Sequence, residues 1–115
     1  MAVRMNVFSQ LWYAWRRLRR RNRFTKVVMV DSMDGLPKRL ESSLYVVGGS
    51  QPKWVVMSCP CGCGERIDVN LMRTQRPTWQ LLLQGGQISL HPSLWVPKEH
   101  CGSHFIIRNN HITWV

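Results

Sequence analysis

The stretch Cys59-Pro60-Cys61-Gly62-Cys63-Gly64-Glu65-Arg66-Ile67-Asp68-Val69-Asn70-Leu71 governs how the rest of the chain reads. Its first half sets three cysteines at alternate positions in a turn punctuated by Pro and Gly, which core packing does not explain. Its second half alternates, with Ile67, Val69 and Leu71 on one face, as a half-buried strand does. Upstream, Leu44 to Val47 and Trp54 to Met57 are short apolar runs bounded by Gly48-Gly49 and Pro52. Downstream, residues 79–83 and 87–90 flank Gly85-Gly86, and residues 104–108 and 111–115 flank Asn109-Asn110. Both dipeptides suit tight hairpins, because Gly and Asn accept the positive φ of a type I′ turn. Residues 31–43, with Gly35, Leu36 and Pro37, read as a connecting loop with one helical turn. The expectation is a small antiparallel sheet or partly open barrel.

The chain has 115 residues, 44% of them hydrophobic, enough for one modest core. That length excludes a multidomain enzyme and a repeat array, and leaves a thin stability margin without a staple. The longest aliphatic run, Val27 to Val30, is far short of a membrane span. Sixteen basic residues face six acidic ones, a formal net charge of +10. Residues 1–26 hold eight of the basic residues and no acid, so the rest of the chain is nearly neutral.

Within that segment Phe8, Leu11, Trp12, Trp15 and Leu18 recur at helical spacing, with Asn6 as an N-cap. An amphipathic helical extension over residues 1–26 is expected, followed by a β domain over residues 27–115, giving a mainly β chain of α+β class. Arg16, Arg17, Arg19, Arg20, Arg21 and Arg23 cluster at the end of the helix, where they suit its dipole. Three roles are open: a helix docked on the domain with solvated arginines, a nucleic-acid contact, and an anchor on an anionic membrane surface. A secretory signal places its charges before its apolar stretch, the reverse of the order here, so the cytoplasm is the expected compartment.

A second cluster, Cys101-Gly102-Ser103-His104, follows the first some 40 residues later. Alternate cysteines are poorly placed to bridge one another. Thiolates on a tight knuckle that meet a ligand from a distant hairpin are how a structural zinc is closed. Zinc is therefore expected ahead of disulfides or plain thiols, and it would supply the missing staple. Cys59, Cys61, Cys63 and Cys101 complete a tetrahedral set unaided. The rival set exchanges one of the first three for His104.

These features, together with Ser89-Leu90-His91-Pro92-Ser93, Phe105 and a terminal hairpin ending near Trp114, resemble a small bacterial family, the domain-of-unknown-function family 6527. The resemblance covers residues 36–115. It implies a setting beside ubiquitin-like proteins and E1- and E2-like enzymes, in pathways some of which act against phage, and a role in processing or removing the modifier. If the metal takes the four cysteines, Ser93 becomes a candidate nucleophile, His104 its base, and Glu65 or Asp68 the carboxylate that orients the base. Backbone N–H groups of the knuckle would form an oxyanion hole. The reaction would be acyl transfer to water, after a modifier's C-terminal glycine. Ser103 is assigned to a hydrogen bond with a metal-bound sulfur; His91, His100 and His111 are read as surface residues, His100 with a supporting position beside Cys101. The competing function is a non-catalytic zinc adaptor that recruits a modifier, a conjugating enzyme or a nucleic acid.

Overall fold

The computed structural model describes Leu11 and residues 18–115. Eight strands form two four-stranded sheets: β1 (Lys26–Val30), β2 (Ser43–Val47), β3 (Trp54–Ser58) and β4 (Arg66–Asn70) in one, β5 (Gln80–Gln84), β6 (Gln87–Trp95), β7 (His104–Arg108) and β8 (His111–Trp114) in the other. Spatial order follows chain order in both sheets. Every neighbouring pair is antiparallel except β1 and β2, which run parallel from Lys26↔Ser43 to Val30↔Val47. The connection between them contains a 3-10 turn, Met33–Gly35.

The fold is therefore all-β, and two expectations are corrected. The α+β class with an N-terminal α-helix does not hold: among the described residues there is no helix of seven or more residues. The single antiparallel sheet or barrel becomes two sheets, one of them mixed. Most of the proposed helical stripe, with Asn6, Phe8, Trp12 and Trp15, lies outside the described residues. Residues 20–25 form no helix, because tertiary partners claim their backbone. The Arg21 N–H donates to the Pro60 carbonyl, the Ile112 N–H to the Asn22 carbonyl, and the Phe24 N–H to the Asn110 carbonyl. Helical periodicity is a weak prior against such pairing.

The sheets share one core. Leu44, Val46, Val55, Met57 and Val69 from the first meet Ile88, Leu90, Leu94, Phe105, Ile107 and Ile112 from the second, with Phe24 among them. The far face of the first sheet packs Tyr45, Val47 and Val56 under Leu36 and Leu40 of the connection, so β2 is buried on both faces. The far face of the second sheet has no such cover among the described residues, and there the outward residues of β6 and β7 are available for chemistry. Both hairpins turn tightly. Gln84↔Gln87 brackets Gly85-Gly86, and Arg108↔His111 brackets Asn109-Asn110, whose φ values are +48° and +65°. Asn110 is also buried and accepts the Ile88 N–H on its side-chain oxygen, which ties the last hairpin to β6. Among the described residues no helix is long and apolar enough to cross a membrane.

Phe24, at 2% exposure, lies in the shared core although it belongs to the basic segment. Phe24→Ala is expected to cost about 3–5 kcal/mol, the range for deleting a buried aromatic ring. Urea unfolding followed by tryptophan fluorescence measures it; a loss below about 1 kcal/mol would contradict the docking of this segment on the domain.

Candidate active site and metal centre

The cysteine knuckle is the β3–β4 connection. The Gly62 N–H returns to the Cys59 carbonyl, the Cys59 N–H bonds to the Glu65 carbonyl, and the Glu65 N–H points at the Cys63 sulfur, 3.5 Å away. Gly62 and Gly64 sit at φ of +87° and +86°, a region that disfavours side chains, so the sharp reversal requires glycine at both. Cys101 arrives from the β6–β7 connection, and the four sulfurs lie within 4.8 Å of one another. Cys59 Sγ is 3.4 Å from Cys61 Sγ and 3.7 Å from Cys101 Sγ, well beyond a disulfide length of about 2 Å. Four thiolates about 2.3 Å from a tetrahedral metal stand about 3.8 Å apart, so the cluster could hold a metal ion with little adjustment.

The thiols titrate as such crowding requires. Burial, reinforced by the neighbouring Cys61 and Cys101, pushes Cys59 far up; burial and the same neighbours raise Cys63 to about 11. Burial also opposes ionisation of Cys61, but hydrogen bonds from Ser103, Cys63 and Cys59 overcome it and lower that thiol to about 7. Ionisation is thus favoured at Cys61 and opposed at Cys59 and Cys63, and a divalent cation would favour the thiolate at all three. Ser103 is buried and lies 3.2 Å from the Cys101 sulfur.

His104, one residue beyond Ser103, opens β7 and points to the uncovered face of the second sheet. Along β7 the alternation is clean: Phe105 and Ile107 enter the core while His104, Ile106 and Arg108 face outward. Opposite them β6 is irregular. Leu90 pairs with Ile107 and Leu94 with Phe105, so His91, Pro92 and Ser93 stand against Ile106 alone. This bulge turns Ser93 toward β7 and brings its Oγ within 2.8 Å of His104 Nε2. Bulges re-aim side chains in this way without breaking the flanking ladder.

Two tryptophans hold the pair. Trp95 is directly opposite His104 in register and stacks on its ring, with centroids 4.7 Å apart and planes 5° from parallel. The Trp79 indole N–H donates to the Ser93 carbonyl at 3.2 Å, pinning the bulge from the other side. Neither role was legible in the sequence, because nothing local marks Trp95 as the cross-strand neighbour of His104.

The carboxylates expected beside the base are placed elsewhere. Glu65 Oε1 is 3.3 Å from His100 Nδ1, and Asp68 is held by Arg66 through two contacts of 2.7 and 3.2 Å. Among the described residues no carboxylate bonds to His104. The knuckle N–H groups of Gly62 and Glu65 are spent inside the knuckle and are not offered to a substrate. Of the arginines, Arg16 and Arg17 lie outside the described residues. Arg19 packs over Gly62, Arg20 stacks 4.4 Å above the Trp114 ring, Arg21 donates to the Glu41 carbonyl, and Arg23 bridges His111 at the edge of β8.

A serine hydroxyl within hydrogen-bond distance of an imidazole, on an open sheet face beside a groove, is the minimal equipment of a serine hydrolase. Residues 30–115 match the model of the family described as bacterial ubiquitination-like system serine protease (BubE), and the chain belongs to that family. The ubiquitin-like setting implied by the motifs thus stands, under the BubE name and not that of family 6527. No curated protein and no solved structure matches the chain.

A metal needs thiolates, so its uptake at pH 7 is expected to expel at least two protons, those of Cys59 and Cys63. Affinity should fall further as the pH drops through about 7, where Cys61 also takes up a proton. Calorimetry of Cd²⁺ binding in buffers of different ionisation enthalpy counts the protons; release of fewer than one would contradict a four-thiolate site.

Proposed function

We propose that this protein is a zinc-stapled serine peptidase that hydrolyses the acyl bond following the C-terminal glycine of a ubiquitin-like modifier, working alongside the modifier's E1- and E2-like enzymes. The observation that carries the reading is the 2.8 Å contact between Ser93 Oγ and His104 Nε2 in a chain of the BubE family.

In this mechanism Nδ1 of His104 carries the ring proton and Nε2 accepts that of Ser93. Oγ attacks the carbonyl carbon as its proton passes to Nε2. The tetrahedral intermediate collapses by breaking the C–N bond, and Nε2–H protonates the departing amine. Water then attacks the acyl ester, giving its proton to Nε2. The ester C–O bond breaks, Oγ regains the proton, and the carboxylic acid leaves. Stacking on Trp95 supports the ring orientation that a carboxylate provides in the usual triad. A bound zinc would be held by the four cysteines and supply the staple, offsetting half of the thiolate charge; catalysis is assigned to Ser93 and His104 alone.

The engagement of His104 Nε2 by Ser93 favours the four-cysteine ligand set over the set that includes His104, and with it the peptidase over the zinc adaptor. Ser93→Ala and His104→Ala are each expected to lower cleavage of a modifier fusion at least about a hundredfold, the scale of an activated nucleophile or general base. Both variants should keep one zinc per chain by elemental analysis. Loss of zinc from His104→Ala would return the histidine to the metal, and undiminished cleavage by Ser93→Ala would remove that serine from the chemistry.

A further inference from the structure

Along the β5 edge of the second sheet and onto its uncovered face, a groove of about 880 Å³ takes in Ser93 but not His104. Its lining includes Leu71, Leu81, Leu82 and Ile106, with Arg73 and Arg108 at the charged positions, and no Asp or Glu among them. Neither arginine has an ion-pair partner among the described residues, whereas Arg66 is matched to Asp68. Two unmatched guanidinium groups over an apolar floor suit an anionic, partly apolar peptide.

The order of groups along β7 gives the groove a direction. His104 lies at one end beside Trp95, Ile106 in the middle opposite Ser93, and Arg108 at the far end. As general acid, His104 must stand on the leaving-group side of the scissile bond. The acyl side therefore extends past Ile106 toward Arg108. A separate slot of about 290 Å³ lies between β4 and the end of β6, lined by Trp95, Val96 and Pro97.

Arg73 is held on a firm support. The buried Asn70 donates from Nδ2 to the carbonyls of Met72, Gln75 and Pro77 and accepts the Met72 N–H, gathering the loop that carries Arg73. The Trp79 N–H then bonds to the Asn70 carbonyl, and its indole to Ser93. Side-chain and backbone hydrogen bonds thus link the arginine-bearing loop to the nucleophile.

We infer that this groove selects the acyl-donor segment of the substrate: an extended peptide with carboxylate side chains, read by Arg73 and Arg108, before the scissile bond. The spacing of Ile106 and Arg108, at about 3.3 Å per residue, sets the acidic position roughly two to four residues upstream of that bond. The inference rests on the peptidase reading and adds its substrate class and polarity.

The test uses the metal-loaded full chain and peptidyl-Gly aminocoumarin amides carrying Glu, Gln or Lys at each of the second to fourth upstream positions. The Glu peptides should exceed the Lys peptides in kcat/KM by about tenfold or more, through KM, the scale of a charge-assisted contact. Raising the salt to 0.5 M should shrink that ratio, since the contact is exposed. Arg108→Glu should invert the preference, and Arg73→Gln should raise KM for Glu peptides. Equal kcat/KM across the three charges in the wild-type protein would overturn the inference, and so would an uninverted preference in a folded Arg108→Glu. Labelling of the wild type at Ser93 by a fluorophosphonate separates the two failures. Labelling without charge preference overturns the groove assignment alone. Absence of both labelling and turnover overturns the peptidase reading and this inference with it.

Discussion

Four sulfur atoms drawn from two different sheets and held within 4.8 Å are the constraint on which the rest of the structure depends. Three come from the connection leaving β3 and one from the connection entering β7, so closing the cluster fixes one end of the two-layer stack. A chain of 115 residues buries too small a share of its surface to be generously stable by core alone. The cluster also sets the site at short range. Cys101, Ser103 and His104 are consecutive or nearly so, and anchoring the first two determines where the imidazole of the third begins β7. Ser103, which helps to ionise Cys61, and the ring that faces Ser93 are thus positioned by one short arm of the chain.

An irregularity in the partner strand converts that anchored histidine into a candidate base. A regular β6 would continue its alternation past His91 with no extra residues. With three residues opposite Ile106, the ladder resumes at Leu94↔Phe105, and Ser93 is presented on the same outward face as His104. Trp95 then stacks on the imidazole and Trp79 grips the Ser93 carbonyl. In the proposed mechanism the aromatic pair takes the orienting role expected of Glu65 or Asp68, while Glu65 is turned toward His100. The proposed chemistry also accounts for an open face here: the substrate must reach it.

The strands were largely legible because their signals are local. Ile67, Val69 and Leu71 alternate, Gly85-Gly86 and Asn109-Asn110 mark turns that demand positive φ, and all of these lie within a few residues of what they determine. By alternation alone β6 ends at Leu90, ahead of a proline, yet the strand runs on to Trp95 with Pro92 absorbed in the bulge. The helical extension expected over residues 1–26 likewise includes residues 20–24. Their actual course is set by the knuckle and β8, partners more than 30 residues away in the chain, and Phe24 in that segment fills the shared core.

By itself the sequence determined the residue types from which a metal centre and a hydrolytic pair can be built, since alternate cysteines around two glycines and a Cys-x-Ser-His motif carry their chemistry in their spacing. It determined too that most of the net positive charge lies in the first 26 residues. Only the tertiary structure decided that the fold is two sheets with a parallel β1–β2 pair, that Ser93 meets His104, and that Glu65 and Asp68 do not. It alone assembled Arg73 and Arg108 along one groove from well-separated parts of the chain. The reason is the range of the interactions: turn chemistry and alternation act between neighbours, whereas register shifts, ring stacking and ion pairing depend on which strands become adjacent.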